Sequence, residues 1–176
     1  YLAPFVITRM LMPKLGRDRT GRIIFVGSEG YRFAMWGLDM DDLQWERNKY
    51  SGLKAYGAGK LAQILSMHLF AKELAPLGVA INAMHPGMVR TESGKDNGRA
   101  YKWYKKNFID KRSAAPDLSS EALYYLGASK DLEGKSDLFF HLTTEEELAP
   151  PARDMEAAKA LWARTMEVLD RKGVRL

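Results

Sequence analysis

Three short apolar runs, set between stretches of helical period, constrain this chain most. They are Arg22-Ile23-Ile24-Phe25-Val26-Gly27, Val79-Ala80-Ile81-Asn82-Ala83-Met84 and Leu138-Phe139-Phe140-His141-Leu142. Their apolar residues are consecutive rather than alternating, which is what a strand covered on both faces requires. Around them the period changes. Leu61, Ile64, Leu65, His68, Leu69 and Leu74 recur mostly at spacings of three and four, and Pro76-Leu77-Gly78 ends that run. This predicts a helix over 53–74. Similar patterns predict helices over 3–15 (Phe5, Ile7, Met10, Leu11, Leu15) and over 154–169, where Ala158, Leu161, Trp162, Thr165, Met166 and Leu169 form one stripe. Ser119-Ser120-Glu121 reads as the start of a helix running to Ala128. Residues 16–21 read as a polar turn, 30–52 as an irregular insertion with a short helix near Asp41–Trp45, and 92–118 as a basic, aromatic stretch that is helical in part. Buried strands alternating with helices predict an α/β fold: a parallel sheet with right-handed crossovers and helices on both faces. Three strands make a thin sheet of that kind, so the chain reads as part of a larger one.

The 176 residues suffice for one domain with one core. The absence of cysteine removes disulfides, thiolate-bound zinc and thiol nucleophiles together, and it fits a reducing, cytoplasmic location. No apolar run approaches the ~20 residues of a membrane span. Tyr1-Leu2-Ala3-Pro4-Phe5 does not read as a signal peptide, and a start on Tyr reads as a cut from a longer chain. The net charge is +5, and Lys102, Lys105, Lys106, Lys111 and Arg112 interleave with Tyr101, Trp103, Tyr104 and Phe108. Basic residues among aromatics suit nucleic acid. Here they need not share one face, and a solvated or lid-forming helix is the better reading; no nucleic-acid partner is expected.

In such a sheet ligands bind beyond the carboxyl ends of the strands. Gly27-Ser28-Glu29-Gly30 follows the first strand, and His85-Pro86-Gly87-Met88-Val89-Arg90-Thr91 follows the second. Between them, Tyr56 and Lys60 stand four apart at the head of the long helix, on one face and one turn from each other. A free tyrosine, with a pKa of about 10, is a poor base at neutral pH, and bringing one to about 7 takes about 4 kcal/mol. A unit charge about 4 Å away, at an effective dielectric of about 20, supplies about that much. A lysine one turn on is such a charge, so Tyr56 can exchange a proton with an alcohol or carbonyl. Gly57 and Gly59 weaken this helix and are read as allowing the close approach of a cofactor. A Tyr-x-x-x-Lys pair alone arises by chance on many helices, Gly-Ser is a common turn, and Pro-Gly simply ends strands. Their order, and their places at strand ends, make them specific together.

The set Ile24-Phe25-Val26-Gly27-Ser28-x-x-Tyr31, Tyr56-x-x-x-Lys60 and Asn82-x-x-His85-Pro86-Gly87-x-Val89-x-Thr91 resembles the short-chain dehydrogenase/reductase superfamily. The stretch from Leu38-Asp39-Met40-Asp41-Asp42-Leu43 to Tyr50, with Ala55-Tyr56 and Lys60-Leu61-Ala62, resembles its retinol-dehydrogenase-like and protochlorophyllide-reductase-like branch. The resemblance covers essentially the whole chain. It implies the C-terminal part of a doubly wound Rossmann-type sheet: residues 1–176 as a single partial NAD(P)-binding domain, with 92–118 as a substrate lid. It also implies hydride transfer between NAD or NADP and a small-molecule alcohol or carbonyl substrate, expected to be an apolar one. Ser28 would steady the substrate oxygen. Tyr56 would be the general acid/base, and Lys60 would assist it and hold the nicotinamide ribose. Pro86, Gly87, Val89 and Thr91 would line the nicotinamide loop. A homodimer through the helices at Pro4–Leu15 and Leu53–Leu74 is expected by the same resemblance.

Two departures limit it. The Gly-rich turn after the family's first strand and the selector after its second are both absent, which implies about 100 residues of preceding βα units at roughly 30 each. A non-catalytic binding or regulatory protein on the same fold is the alternative reading, and an inactive, self-associating fragment is another. Glu29 and Tyr31 are candidates for the substrate mouth, and Met35, Trp36, Met88, Trp103, Tyr104 and Phe108 for an apolar substrate wall. His68 is read as a core or interface histidine, His85 as a pocket wall and His141 as unpartnered. With the three histidines dispersed, and Glu145-Glu146-Glu147 read as a solvated turn, no metal site is expected.

Overall fold

The computed structural model describes residues 1–15, 21–87 and 116–174. Helix α1 (Leu2–Leu15) leads into strand β1 (Arg22–Val26), and a 3-10 helix follows at Glu29–Ala34. Helix α2 (Gly52–Leu74), strand β2 (Ala80–His85), helix α3 (Pro116–Ala128), strands β3 (Phe139–His141) and β4 (Thr144–Glu145) and helix α4 (Met155–Arg171) complete the order. The sheet runs β1-β2-β3-β4. β1 and β2 pair in parallel with Phe25 opposite Ala83, and β2 and β3 pair in parallel with His85 opposite His141. The short β4 turns back antiparallel on β3, with Phe140 opposite Glu145.

Because successive strand residues point to opposite faces, the apolar runs divide between two cores. Phe25, Ile81, Ala83 and Phe139 meet α1, α2 and α4 on one face. Met84 and Phe140 meet Ala122, Leu126 and Leu132 on the other. The expected helices on both faces are therefore present. Helix α2 is the hub of the larger core: from Leu61 to Ala71 almost every residue is buried. Phe70 lies between Phe5 (5.1 Å) and Trp162 (4.7 Å). Arg9 of α1 pairs with Glu73 near the end of α2. The stripe on α4 is as expected, with Ala158, Leu161, Thr165 and Leu169 buried and Asp154 capping the N–H groups of Glu156 and Ala157.

Three expectations need correction. The helix containing Ala128 begins at Pro116, ahead of Ser119. The two-residue strand β4 was not expected. There is no helix at Asp41–Trp45. The buried Asp42 carboxylate instead accepts the backbone N–H groups of Glu46, Arg47 and Asn48, offering the backbone an alternative to helical bonds. Those N–H groups, Asn48 foremost, hold the Asp42 carboxyl below its ordinary range against the opposing effect of burial. Trp45, at φ 59°, takes the left-handed conformation that closes the turn. The turn expected at 16–21 lies mostly outside the described residues.

Candidate active site

The elements that bear on the chemistry meet at the carboxyl edge of the sheet, where β1 and β2 end and α2 begins. Ser28 follows β1 and caps the Glu29–Ala34 turn, its Oγ accepting the Gly30 N–H at 3.0 Å. Gly30 lets the Tyr56 ring lie on the loop: a β-carbon there would stand 2.5 Å from Tyr56 Cε1 and 3.1 Å from Ser28 Oγ. Ser28 and Tyr56 are thus brought together around Gly30. One turn along α2, Lys60 Nζ donates to the carbonyl of Val26, the last residue of β1, at 2.9 Å. Burial holds the Lys60 ammonium below its ordinary pKa. Val26 is its one hydrogen-bond acceptor among the described residues, which leaves N–H capacity for a ligand.

Tyr56, at 48% exposed, and Lys60 open onto a groove of about 650 Å³ between α1, the edge of β1 that is unpaired among the described residues, and the head of α2. Its other walls include Pro4, Ile7, Ile24 and Gly59. The two glycines of this helix have different tasks. A β-carbon on Gly57 would stand 2.8 Å from Phe33 Cβ and 3.0 Å from the Gly30 carbonyl oxygen. The bare face of Gly57 therefore packs the helix on the serine loop, contrary to the expectation that it makes room for a cofactor. Gly59 has nothing within 4 Å of such an atom and does leave open space in the groove.

Beyond β2, Gly87 takes φ 69°, and a β-carbon on it would meet His141 Nε2 at 3.1 Å. Pro86 precedes it, directly after the end of β2. Val89, Thr91, Met88, Trp103, Tyr104 and Phe108 lie outside the described residues, as does the expected lid up to residue 115. These features fit the nicotinamide end of a dinucleotide: a half-buried cation with spare donors, a bare glycine face in a groove, and a glycine-shaped turn at the neighbouring strand end.

Other candidates move away from the site. Tyr31 is 1% exposed; its hydroxyl accepts the Ala149 N–H at 2.9 Å and its ring packs edge-on against Phe139. It braces the core and does not line a substrate mouth. Trp36 is 96% exposed and, with Phe33 and Met35, lines a second groove of about 550 Å³ away from Lys60. His68 is a core histidine as expected. Its Nδ1 donates to Asp137 at 2.6 Å and its Nε2 to the Ala152 carbonyl at 2.8 Å. Burial disfavours the charged ring, but the Asp137 carboxylate and the Ala152 carbonyl outweigh it and raise the pKa.

The remaining two histidines are not dispersed. His85 and His141 stack with centroids 4.5 Å apart and planes within 3°. His85 Nε2 lies 3.0 Å from Glu146 and 3.3 Å from Glu29, and Glu29 also pairs with Arg32. His85 Nδ1 is buried with no partner among the described residues. The sequence does carry a trace of this cluster: each histidine closes a buried apolar run, and the last residues of adjacent parallel strands are neighbours.

Comparison with known proteins agrees with the motifs. The short chain dehydrogenase family profile matches residues 44–102. Retinol dehydrogenase 13 of Mus musculus is 31% identical over 96% of this chain and 51% of its own length. Retinol dehydrogenase 14 of Homo sapiens is 30% identical over 92% of this chain and 48% of its own. The WW domain-containing oxidoreductase of Pongo abelii is 29% identical over 93% and 40%. The chain spans about half the length of the curated relatives it matches. A short chain dehydrogenase from Salmonella enterica serovar Typhi shares the fold at a TM-score of 0.55 and 22% identity, covering 80% of this chain and 48% of that one. The TT0495 protein of Thermus thermophilus does so at a TM-score of 0.54 and 21% identity, covering 78% and 52%. No helix among the described residues is long and apolar enough to cross a membrane. Fold, motif order and sequence similarity agree in supporting the short-chain dehydrogenase/reductase superfamily and, within it, the retinol-dehydrogenase-like branch.

Proposed function

We propose that this chain carries the catalytic half of an NAD(P)-dependent oxidoreductase that interconverts an alcohol and a carbonyl. The observation that carries the reading is the convergence of Ser28, Tyr56 and Lys60 at the carboxyl end of β1, around Gly30 and beside an open groove.

The roles follow from how each side chain is already engaged. The Gly30 N–H occupies one lone pair of Ser28 Oγ, which orients the hydroxyl and leaves its proton to donate to a substrate oxygen. That bond strengthens as negative charge develops on the oxygen. The Tyr56 hydroxyl gives a proton to that oxygen in reduction and takes one in oxidation. Lys60, tethered to Val26, keeps a positive charge one turn away and has donors left for ribose hydroxyls. Pro86 and Gly87 shape the nicotinamide loop, and Val89 and Thr91 are assigned to the carboxamide by resemblance. A bound nicotinamide supplies the hydride exchange with the substrate carbon. Phe33, Met35 and Trp36, exposed just beyond Ser28, support an apolar substrate. Met10, exposed on α1, is consistent with the homodimer that the resemblance implies.

The test is a redox assay of the full protein with NAD and NADP against a panel of alcohols and aldehydes, long-chain and retinoid members included. Cofactor-dependent turnover that falls about 10²-fold or more in Ser28→Ala is expected. A protein that binds cofactor and turns over none of the panel would favour the non-catalytic alternative.

A further inference from the structure

We propose that His85, His141 and Glu146 form a divalent-cation site, of the zinc type, at the carboxyl ends of β2 and β3. The ligand atoms of the three side chains lie within 4.8 Å of one another. The site is built by the sheet itself. His85 and His141 are register partners on parallel strands, and Glu146 follows β4, which the tight turn after β3 folds back alongside.

The arrangement is poorly suited to a proton alone. One ring nitrogen, His85 Nε2, faces two carboxylates, Glu146 at 3.0 Å and Glu29 at 3.3 Å, with a second imidazole stacked alongside. A single N–H satisfies one such acceptor well; Glu29 has Arg32 as a second partner, whereas Glu146 has no other ion pair among the described residues. A dication in the proton's place would offset both carboxylates and recruit the second ring. Two imidazoles and a carboxylate are a donor set that suits zinc and its neighbours in the first transition row.

The burial pattern also suits a site that can be loaded. His85 is buried and held against Phe139, with centroids 5.4 Å apart, so one ligand is fixed in advance. Glu146 is half-buried and His141 exposed, so an ion has an approach and a water has a coordination position. Tetrahedral ligands at about 2.0–2.1 Å from a metal stand about 3.3 Å apart. Rotation of His141 and Glu146 closes the remaining distance. Because a Gly87 β-carbon would touch His141 Nε2, a bound ion would also brace the Pro86-Gly87 turn against β3.

The test needs no cofactor or substrate, so its outcome is independent of the oxidoreductase reading. The full chain is titrated with Zn²⁺ against a chromogenic chelator, alongside His141→Ala and Glu146→Gln. Both substitutions fall on side chains that are not fully buried, and circular dichroism checks that each variant is folded. The expected result is one Zn²⁺ per chain, at least tenfold weaker binding in each variant, and a rise in the unfolding temperature with Zn²⁺ that His141→Ala loses. No saturable binding, or binding and thermal shift unchanged in both variants, would overturn the proposal.

Discussion

Helix α2 is two structures in one. Its head, from Gly52 to Lys60, is largely open: Leu53 and Tyr56 are exposed, a β-carbon on Gly59 would meet nothing within 4 Å, and Lys60 reaches out to a strand end. Its remainder, from Leu61 to Leu74, is enclosed by α1, α4 and the sheet. The same backbone thus anchors in one half and works in the other. Proton-transfer groups must be accessible, yet they must be held to within a fraction of an ångström, and a helix rooted in a core gives its exposed turn that rigidity. The carboxyl ends of β2 and β3 repeat the division on a smaller scale: Ala83, Phe139 and His85 are buried, while His141 stands exposed at the rim.

Substitutions on the two halves of α2 should separate stability from activity. Phe70→Ala removes a ring packed among Phe5, Phe25 and Trp162, and should cost about 3–5 kcal/mol in denaturant unfolding. A cost below about 1 kcal/mol would mean that the rooted half is not rooted. Gly57→Ala forces a methyl against Phe33 and the Gly30 backbone and should destabilise by about 1–3 kcal/mol, partly offset by the better helix propensity of alanine. Gly59→Ala, two residues on, meets nothing and should stabilise by up to about 1 kcal/mol. It should also raise the KM for the cofactor, because the methyl projects into the groove. Equal effects of the two alanines would erase the distinction drawn between these glycines.

The smallest expected effect is on pH dependence. His68 in the rooted half has a folded pKa raised above the unfolded value of about 6.5. The folded state therefore holds its proton more tightly, and the resulting stability is fully present below about pH 6.5 and is lost as pH rises through the folded pKa. Thermal unfolding midpoints should fall across that window in the wild type, and His68→Gln should flatten the slope. A wild-type midpoint that rises across the same window would contradict the Asp137–His68–Ala152 arrangement.

What could be read from the sequence was whatever repeats or sits next to its partner. Strands β1, β2 and β3 announce themselves as consecutive apolar runs and helices α1, α2 and α4 by period, and Tyr56 and Lys60 are one helical turn apart. The Asp42 turn was not legible, because one carboxylate gathering three backbone N–H groups leaves no periodic trace and its Asp-rich segment passes for a short helix. Strand β4 is too short to show a pattern. The burial of Tyr31 depends on Ala149, far along the chain, and the pairing of His85 with His141 depends on strand register. Residues next to a motif pass for parts of its site in the sequence; the fold sends Tyr31 inward instead and brings Glu146 up from a run of glutamates.

The central claim is that Tyr56, on the exposed head of α2, supplies proton chemistry and not stability. It is tested most directly by Tyr56→Phe in the full protein, followed by turnover, cofactor binding and thermal unfolding together. The account expects turnover to fall by about 10²–10⁴-fold, with cofactor binding largely intact and the unfolding midpoint essentially unmoved. Retained turnover, or a loss that merely tracks unfolding, would contradict it.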